Sequence, residues 1–338
     1  MDRTGLNVLV IFDSAGTPPA DQNFKKAMEE EEDWKTENHV CAALKALGHR
    51  VRTLGVFDDI RLILKAAAKE KPDILFNLTE HFHDRSYYDR NVAGLFELLQ
   101  IPYTGSGPAG LMLCRNKGIA KKILCHHHIQ TPLFRVYPKG HPIAPPPKLK
   151  YPILVKPLRE EASYGISQNS LVDREAALVE RVRFIHDTFK QDAIAEEYVE
   201  GRELYVSILG NRRLRAFPVR EMVFENIPEA DRKFATFKAK WDEKYRRRWG
   251  IKNRFAALKP ELEKKIQAIC KKVYRLLSIQ GYGRVDLRLT PADDIVVLEA
   301  NPNPFIAKDE DFARSARKGG MEYNRLIQKI LQLGFHPR

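Results

Sequence analysis

Gly283-Arg284-Val285-Asp286-Leu287-Arg288-Leu289 and, after a short gap, Ile295-Val296-Val297-Leu298-Glu299-Ala300-Asn301-Pro302-Asn303-Pro304 read as two strands. The turn-forming Pro291-Ala292-Asp293-Asp294 between them makes a β-hairpin. Asp286 stands near the start of the first strand and Glu299 near the end of the second, so antiparallel pairing brings both carboxylates to one end of the hairpin. Asn301 follows Glu299 by two positions, and period-2 alternation points it to the same face. Two carboxylates and an amide oxygen are hard ligands, suited to Mg²⁺ holding nucleotide phosphates. The competing reading is a surface hairpin with solvated acids; apolar neighbours on both strands argue against it.

Upstream, Tyr151-Pro152-Ile153-Leu154-Val155-Lys156-Pro157 is an apolar strand closed by a lysine. Burying that charge is costly without an anionic partner. The alternative is a strand-end lysine reaching out to water. The polar loop over 159–165 that follows is suited to fold over phosphates. A third segment, Ile194-Ala195-Glu196-Glu197-Tyr198-Val199-Glu200-Gly201-Arg202-Glu203, is a strand running into a glycine turn with acids on both sides. It can offer backbone groups and carboxylates to an adenosine, and alone it is weak evidence.

The first third alternates strand and helix. Strands are expected over 7–13, 50–56 and 72–78. Val40, Ala43, Leu44 and Leu47 fall at helical spacing with Gly48 as a C-terminal cap, a second helix starts at Asp58-Asp59, and a third covers 92–99. This βαβαβα rhythm implies a parallel sheet covered by helices on both faces. Thr104-Gly105-Ser106-Gly107-Pro108 is a turn cluster, followed by a helix over 111–127. The Pro-rich stretch 142–147 reads as a surface connection. Strands then dominate to 223 around a helix over 174–190. A basic, helix-compatible segment spans 233–277, and a last helix lies near 323–333.

With 338 residues the chain can build two or three packed layers, and 43% hydrophobic with 30% charged residues is a globular balance. No stretch approaches the ~20 consecutive apolar residues of a membrane-spanning helix. The start, Met1-Asp2-Arg3-Thr4, runs directly into a strand with no basic leader, so a cytoplasmic address is expected. The four cysteines, Cys41, Cys114, Cys125 and Cys270, show no C-x-x-C spacing and read as reduced thiols. In Cys125-His126-His127-His128 consecutive side chains diverge, which disfavours a metal cluster. The net charge of +13, densest at Lys244-Tyr245-Arg246-Arg247-Arg248-Trp249, favours an anionic partner; nucleotide phosphates and nucleic acids both qualify.

Taken in order, these segments resemble the D-alanine–D-alanine ligase branch of the ATP-grasp superfamily, from Val8 to about Leu331. Leu95-Phe96-Glu97-Leu98-Leu99-Gln100-Ile101-Pro102-Tyr103-Thr104-Gly105-Ser106-Gly107 is close to that family's front-domain signature and is followed by Asn116-Lys117. The resemblance implies an α/β ATP-grasp fold. Its parts are an N-terminal parallel-sheet domain (1–110), a central subdomain (111–205) and a C-terminal subdomain with the metal site (206–338). The last two are α+β units that sandwich ATP.

It also implies roles. Lys117, Lys156 and Ser163 contact ATP, Glu196 reads the adenine amino group, Val199 sits at the hinge and Glu203 meets the ribose. Phe237-Lys238-Ala239-Lys240-Trp241 resembles the family's Y-E-A-K-Y segment and puts Lys240 near the γ-phosphate. Asp286, Glu299 and Asn301 match ligands of two Mg²⁺ (or Mn²⁺) ions, and Arg284 faces the acyl phosphate. The implied reaction joins a carboxylate to an amine through an acyl phosphate.

Substrate positions match less well. Ala162, followed by Ser163, stands where the family has a serine, Trp241 replaces a tyrosine, and the acid-rich region 28–37 looks expanded by an insertion. The family's H-G-x-x-G-E-D-G becomes Asn77-Leu78-Thr79-Glu80-His81-Phe82-His83, and its serine-containing tail becomes Asn303-Pro304-Phe305-Ile306-Ala307-Lys308-Asp309-Glu310. Each lost polar partner in a buried site costs about 1–3 kcal/mol, so a different substrate pair, amino acids or a peptide, is expected. Glu80, His81, His83 and Asn303 are the candidate substrate contacts; the plainer reading of the first three is an acid and two histidines at a strand end. Expected partners are these small molecules and a second copy in a homodimer, with neither nucleic acid nor membrane. The alternatives are an authentic D-alanine–D-alanine ligase and a non-catalytic polyanion-binding protein.

Overall fold

The computed structural model describes residues 4–14, 34–144, 148–160, 163–226 and 234–336. Strand β1 (Asn7–Asp13), helix α1 (Lys35–Ala46), β2 (Arg50–Val56), α2 (Ile60–Glu70), β3 (Ile74–Leu78) and α3 (Asp89–Leu98) form the front unit. Its sheet has the order β2-β1-β3 and is parallel throughout. The alternation along β1 shows why both faces are covered. Val8, Val10 and Phe12 pack with Val40 and Leu44, while Leu9 and Ile11 pack with Ile63, Val92 and Phe96. Helix α2 starts where expected because the Asp59 carboxylate accepts the Arg61 N–H at 2.8 Å.

The expected continuous helix over 111–127 is two helices, α4 (Pro108–Arg115) and α5 (Lys117–His126). Asn116 between them is extended, and its side chain accepts the Ile119 N–H at 3.0 Å, capping the second helix. Apolar spacing runs through both pieces, which is why the break was invisible to periodicity.

A second sheet, β4 (Phe134–Tyr137), β5 (Ile153–Pro157), β6 (Leu171–Val172) and β7 (Ala193–Glu197), has the order β4-β7-β5-β6. Helix α6 (Glu175–Thr188) seals one face with Leu178, Val182 and Ile185. The third sheet follows the order β11-β10-β8-β12-β13. Its strands are β8 (Arg202–Leu209), β9 (Arg215–Ala216, paired to β8), β10 (Arg220–Phe224), β11 (Ile251–Phe255), β12 (Tyr282–Leu289) and β13 (Ile295–Pro302).

The basic segment expected to be helical contains short α7 (Phe237–Trp241) and α8 (Glu243–Arg248), then β11, then α9 (Pro260–Leu276). Strand β11 escaped notice because Lys252, Asn253 and Arg254 leave it little apolar alternation; pairing with β10 holds it in place. Helix α9 packs Ile266, Cys270, Val273 and Tyr274 against the large sheet. After β13, α10 (Asp311–Lys318) and α11 (Tyr323–Gly334) return to the front unit, where Phe312, Leu326 and Ile330 join the core under β1. No helix among the described residues is long and apolar enough to cross a membrane.

Candidate functional site

The break at Asn116 places Lys117 in the first turn of α5, where its Nζ donates to the Glu160 carbonyl and lies 3.9 Å from Glu299 Oε2. Lys121 is one turn further on the same face. Only 1% exposed, it donates to the Leu298 carbonyl at 2.8 Å and lies 3.4 Å from Glu196 Oε1. From β5, Lys156 Nζ reaches within 3.1 Å of Glu196 Oε2. Glu196, on β7, is thus a buried carboxylate between two ammonium groups.

Burial alone would raise the Glu196 pKa, but Lys121 and Lys156 outweigh it and hold the carboxyl below its ordinary value. Lys156 loses stability as a cation through burial, yet Glu196 and Glu299 raise it overall. Lys121 is pushed down to about 8, first by burial, with Lys156 adding repulsion against the pull of Glu196.

In the β12–β13 hairpin Asp286 lies directly opposite Glu299, and Arg284 opposite Asn301. The four side chains therefore share one face, as alternation requires. Arg284 grips both oxygens of Asp286, at 2.7 and 2.9 Å, and lies 5.2 Å from the centre of the Tyr205 ring. Burial pushes the Asp286 carboxyl up even with that guanidinium beside it. Glu299 goes the other way: Lys117, Lys156, Lys240 and Arg284 outweigh burial and bring it to about 2.

Among the described residues no group of three or more His, Cys, Asp and Glu side chains is gathered for a metal. Two carboxylates and an amide nevertheless suit a hard cation. Glu299 stays ionised opposite Asp286, and the buried Asn301 Nδ2 has no hydrogen-bond partner among the described residues. Amide nitrogen and oxygen can exchange places, so this unpartnered end can present an oxygen.

Glu203 is 6% exposed, and its two oxygens accept from Tyr205 Oη and Arg288 Nη2, both at 2.8 Å. Val199 is half-buried in the short link between β7 and β8, where the chain passes from the second sheet to the third. That link turns at Gly201, φ +138°, where any Cβ would run into the Leu289 carbonyl. Ser163 is buried in the loop after β5 with φ 61°, and its carbonyl accepts the Ile166 N–H at 2.9 Å.

The substrate candidates lie elsewhere. Glu80, His81, His83, Asn303, Lys240, Arg284 and Asn301 line a cavity of roughly 1840 Å³, whereas Lys117, Lys156, Glu196 and Glu299 lie outside its lining. The Glu80 N–H donates to Asp13 Oδ1 at 2.6 Å, and His81 Nδ1 is 3.5 Å from Asp13 Oδ2. The hydrogen bond to Asp13 raises the His81 pKa against the opposing effect of burial. His83, at φ 55°, stacks on Phe57 with ring centres 6.1 Å apart. Asn303 Oδ1 accepts the Ser106 N–H at 2.8 Å, tying the end of β13 to the front unit.

Sequence reasoning missed Lys121, although its signal was present: a lysine four residues after Lys117 inside the apolar stripe of a helix. It also missed Arg288, the partner of Glu203, because the pairing joins positions far apart in the chain. Ala162 and positions 28–33 of the acid-rich region lie outside the described residues.

Residues 143–332 match the family model described as D-ala D-ala ligase C-terminus. The D-alanine–D-alanine ligase of Aquifex aeolicus (strain VF5) is 31% identical over 90% of this chain and 97% of its own length. An uncharacterized protein of Sinorhizobium fredii is 29% identical over 97% of this chain and 96% of that one. The crystal structure of D-alanine–D-alanine ligase from Bacillus anthracis complexed with ATP superposes with a TM-score of 0.75, covering 98% of each chain at 22% identity.

Proposed function

The chain belongs to the D-alanine–D-alanine ligase family, and from that premise we propose that this ATP-grasp carboxylate–amine ligase joins a substrate pair other than two D-alanines. The observation that carries the reading is the division of the site. A closed set of lysines and glutamates lies outside the lining of a wide cavity, and Arg284, Asn301 and Lys240 line that cavity.

In this reading Lys117 and Lys156 hold the phosphates, aided by Ser163. Glu196 takes the adenine amino group, Val199 lies at the hinge beside it, and Glu203 takes the ribose. Asp286, Glu299 and Asn301 would hold Mg²⁺, two ions or their Mn²⁺ equivalents. Bound there, the metal supplies positive charge against the triphosphate.

A substrate carboxylate oxygen attacks the γ-phosphorus, and the bond from that phosphorus to the β–γ bridging oxygen breaks, releasing ADP. Lys240 neutralises charge on the phosphoryl oxygens as it moves. The amine nitrogen of the second substrate then attacks the acyl carbon and loses a proton, and the carbon–oxygen bond to phosphate breaks. Arg284, held in place by Asp286, faces the oxyanion of that tetrahedral intermediate. Closure of the site over the bound substrates would keep water from the anhydride.

Glu80, His81, His83 and Asn303 line the same cavity and are the groups that would meet substrate side chains. The test is ADP and phosphate release from Mg-ATP against a panel of D- and L-amino acids and dipeptides, with product mass and a Lys156→Ala control. Release that needs one particular pair and gives a ligated mass supports the reading. Efficient synthesis of D-alanyl-D-alanine at low-millimolar D-alanine would replace it with the authentic ligase.

A further inference from the structure

Large apolar side chains exposed to water are unremarkable singly and informative when they gather on one feature. Here Tyr164 (54% exposed), Phe237 (43%), Trp241 (44%) and Phe305 (38%) all line the same cavity. They come from three separate segments: the loop after β5, helix α7, and the chain after β13. Tyr164 and Phe237 meet edge to face at 6.0 Å between ring centres, and Trp241 meets Phe305 in the same way at 5.8 Å. The Phe237 N–H donates to the Ile166 carbonyl at 3.0 Å, which ties the first pair's two segments together. Thr236 caps α7 by accepting the Ala239 N–H at 3.1 Å, so the helix holds Phe237 and Trp241 one turn apart.

We propose that this aromatic collar is a recognition site for a bulky apolar side chain, aromatic or large aliphatic, on one of the two ligase substrates. The inference deepens the ligase reading and rests on it for the identity of the reacting groups. Rings already packed edge to face, each still partly exposed, can meet a further ring without first being ordered. The cavity, at roughly 1840 Å³, exceeds the ~300–1,000 Å³ of common small-molecule pockets and leaves room for a large substrate. A methyl side chain would leave the collar exposed to water, so it would gain little from these rings. Trp241 directly follows Lys240, and Phe305 follows Asn301 and Asn303 on the same stretch of chain, so side-chain selection is coupled to the wall where bond formation is proposed.

Two measurements on the full-length protein test this. In the first, kcat/KM for ATP-dependent ligation is compared for phenylalanine, leucine and alanine of both hands, each with a panel of partners. Phenylalanine or leucine should exceed alanine by at least about tenfold, and W241A and F305A should each cut that ratio about tenfold. Equal preference, or equal losses for alanine and phenylalanine in both variants, would make the collar a mere closing contact and overturn the proposal. In the second, phenylalanine and alanine are titrated with Mg-ADP present, reading tryptophan fluorescence and ligand-observed NMR. Phenylalanine should bind and alter emission, with the change lost in W241F, while alanine binds at least about tenfold more weakly. Binding of phenylalanine without turnover of any pair would sink the ligase reading and leave the collar standing. Failure of both leucine and phenylalanine to bind more tightly than alanine would sink the collar, whatever the turnover.

Discussion

Two regions of this molecule meet at one site and are built on opposite principles. In the first, Lys117, Lys121, Lys156, Glu196 and Glu299 are buried or nearly so, and every charge stands against a counter-charge. In the second, Glu80, His81, His83 and the aromatic collar line an open cavity, and the pairings of His81 with Asp13 and of His83 with Asp58 are long and partly solvated. A buried charge network tolerates little change, because removing one member strands another. An open wall can exchange side chains at small cost to stability. In the proposed function, nucleotide binding falls mainly to the buried region and substrate choice to the open one.

The largest effect is expected where that contrast is sharpest. Lys156→Ala leaves Glu196 buried with only Lys121 nearby and should cost about 3–5 kcal/mol of stability. ATP-dependent turnover should fall by roughly 10²–10³. Urea unfolding and ADP release measure the two losses; a loss below about 1 kcal/mol would show that the network is not tightly coupled.

Next comes a group on helix α1, behind Asp13 of the cavity wall. Burial, with Asp13 adding to it, raises Glu37 to about 7. Folding favours its protonated form, so its contribution is complete below about pH 4.5 and is lost as pH rises through about 7. Glu37→Gln should therefore stabilise the protein by about 1–3 kcal/mol at pH 8 and have little effect at pH 4. Glu299 gives the opposite sign. Held at about 2, its ionised form is favoured by folding, and that contribution is complete above about pH 4.5 and lost as pH falls toward 2. Melting temperatures of wild type and Glu37→Gln across pH 2 to 8 separate the two; parallel curves above pH 4.5 would contradict the assignment to Glu37.

Asn303→Ala should cost about 1 kcal/mol by leaving the Ser106 N–H without its side-chain acceptor. Its effect on thermal unfolding should be several-fold smaller than that of Lys156→Ala. The smallest change is expected for His83→Ala. Its pairing with Asp58, at 4.0 Å between exposed side chains, is worth less than about 0.5 kcal/mol. An unchanged melting temperature with an altered KM would mark His83 as a substrate contact; unchanged kinetics would return it to the surface.

Much of the front unit was legible because its rules are local. The unbroken apolar run in 7–13 and the carboxylate of Asp59 announce a buried strand and a helix start without reference to the rest of the chain. The hairpin was legible for the same reason: short turn, two apolar strands and fixed period bring Asp286 and Glu299 opposite one another. The break at Asn116 and strand β11 were not, since each depends on what the neighbouring structure offers. Asn116 breaks an apolar pattern that runs on past it, and Lys252-Asn253-Arg254 becomes a strand because β10 supplies its ladder.

The sequence by itself determined the order of elements, the placing of acids and Asn301 on one hairpin, and the residue types that mark a ligase of this family. Only the tertiary structure decided that Glu196 lies between Lys121 and Lys156, that Arg284 donates to both oxygens of Asp286, and that four aromatic rings from three segments meet at one cavity. Secondary structure follows from contacts a few residues apart. Charge pairing and ring packing join positions distant in the chain, and their geometry exists only once the sheets and helices have closed around them.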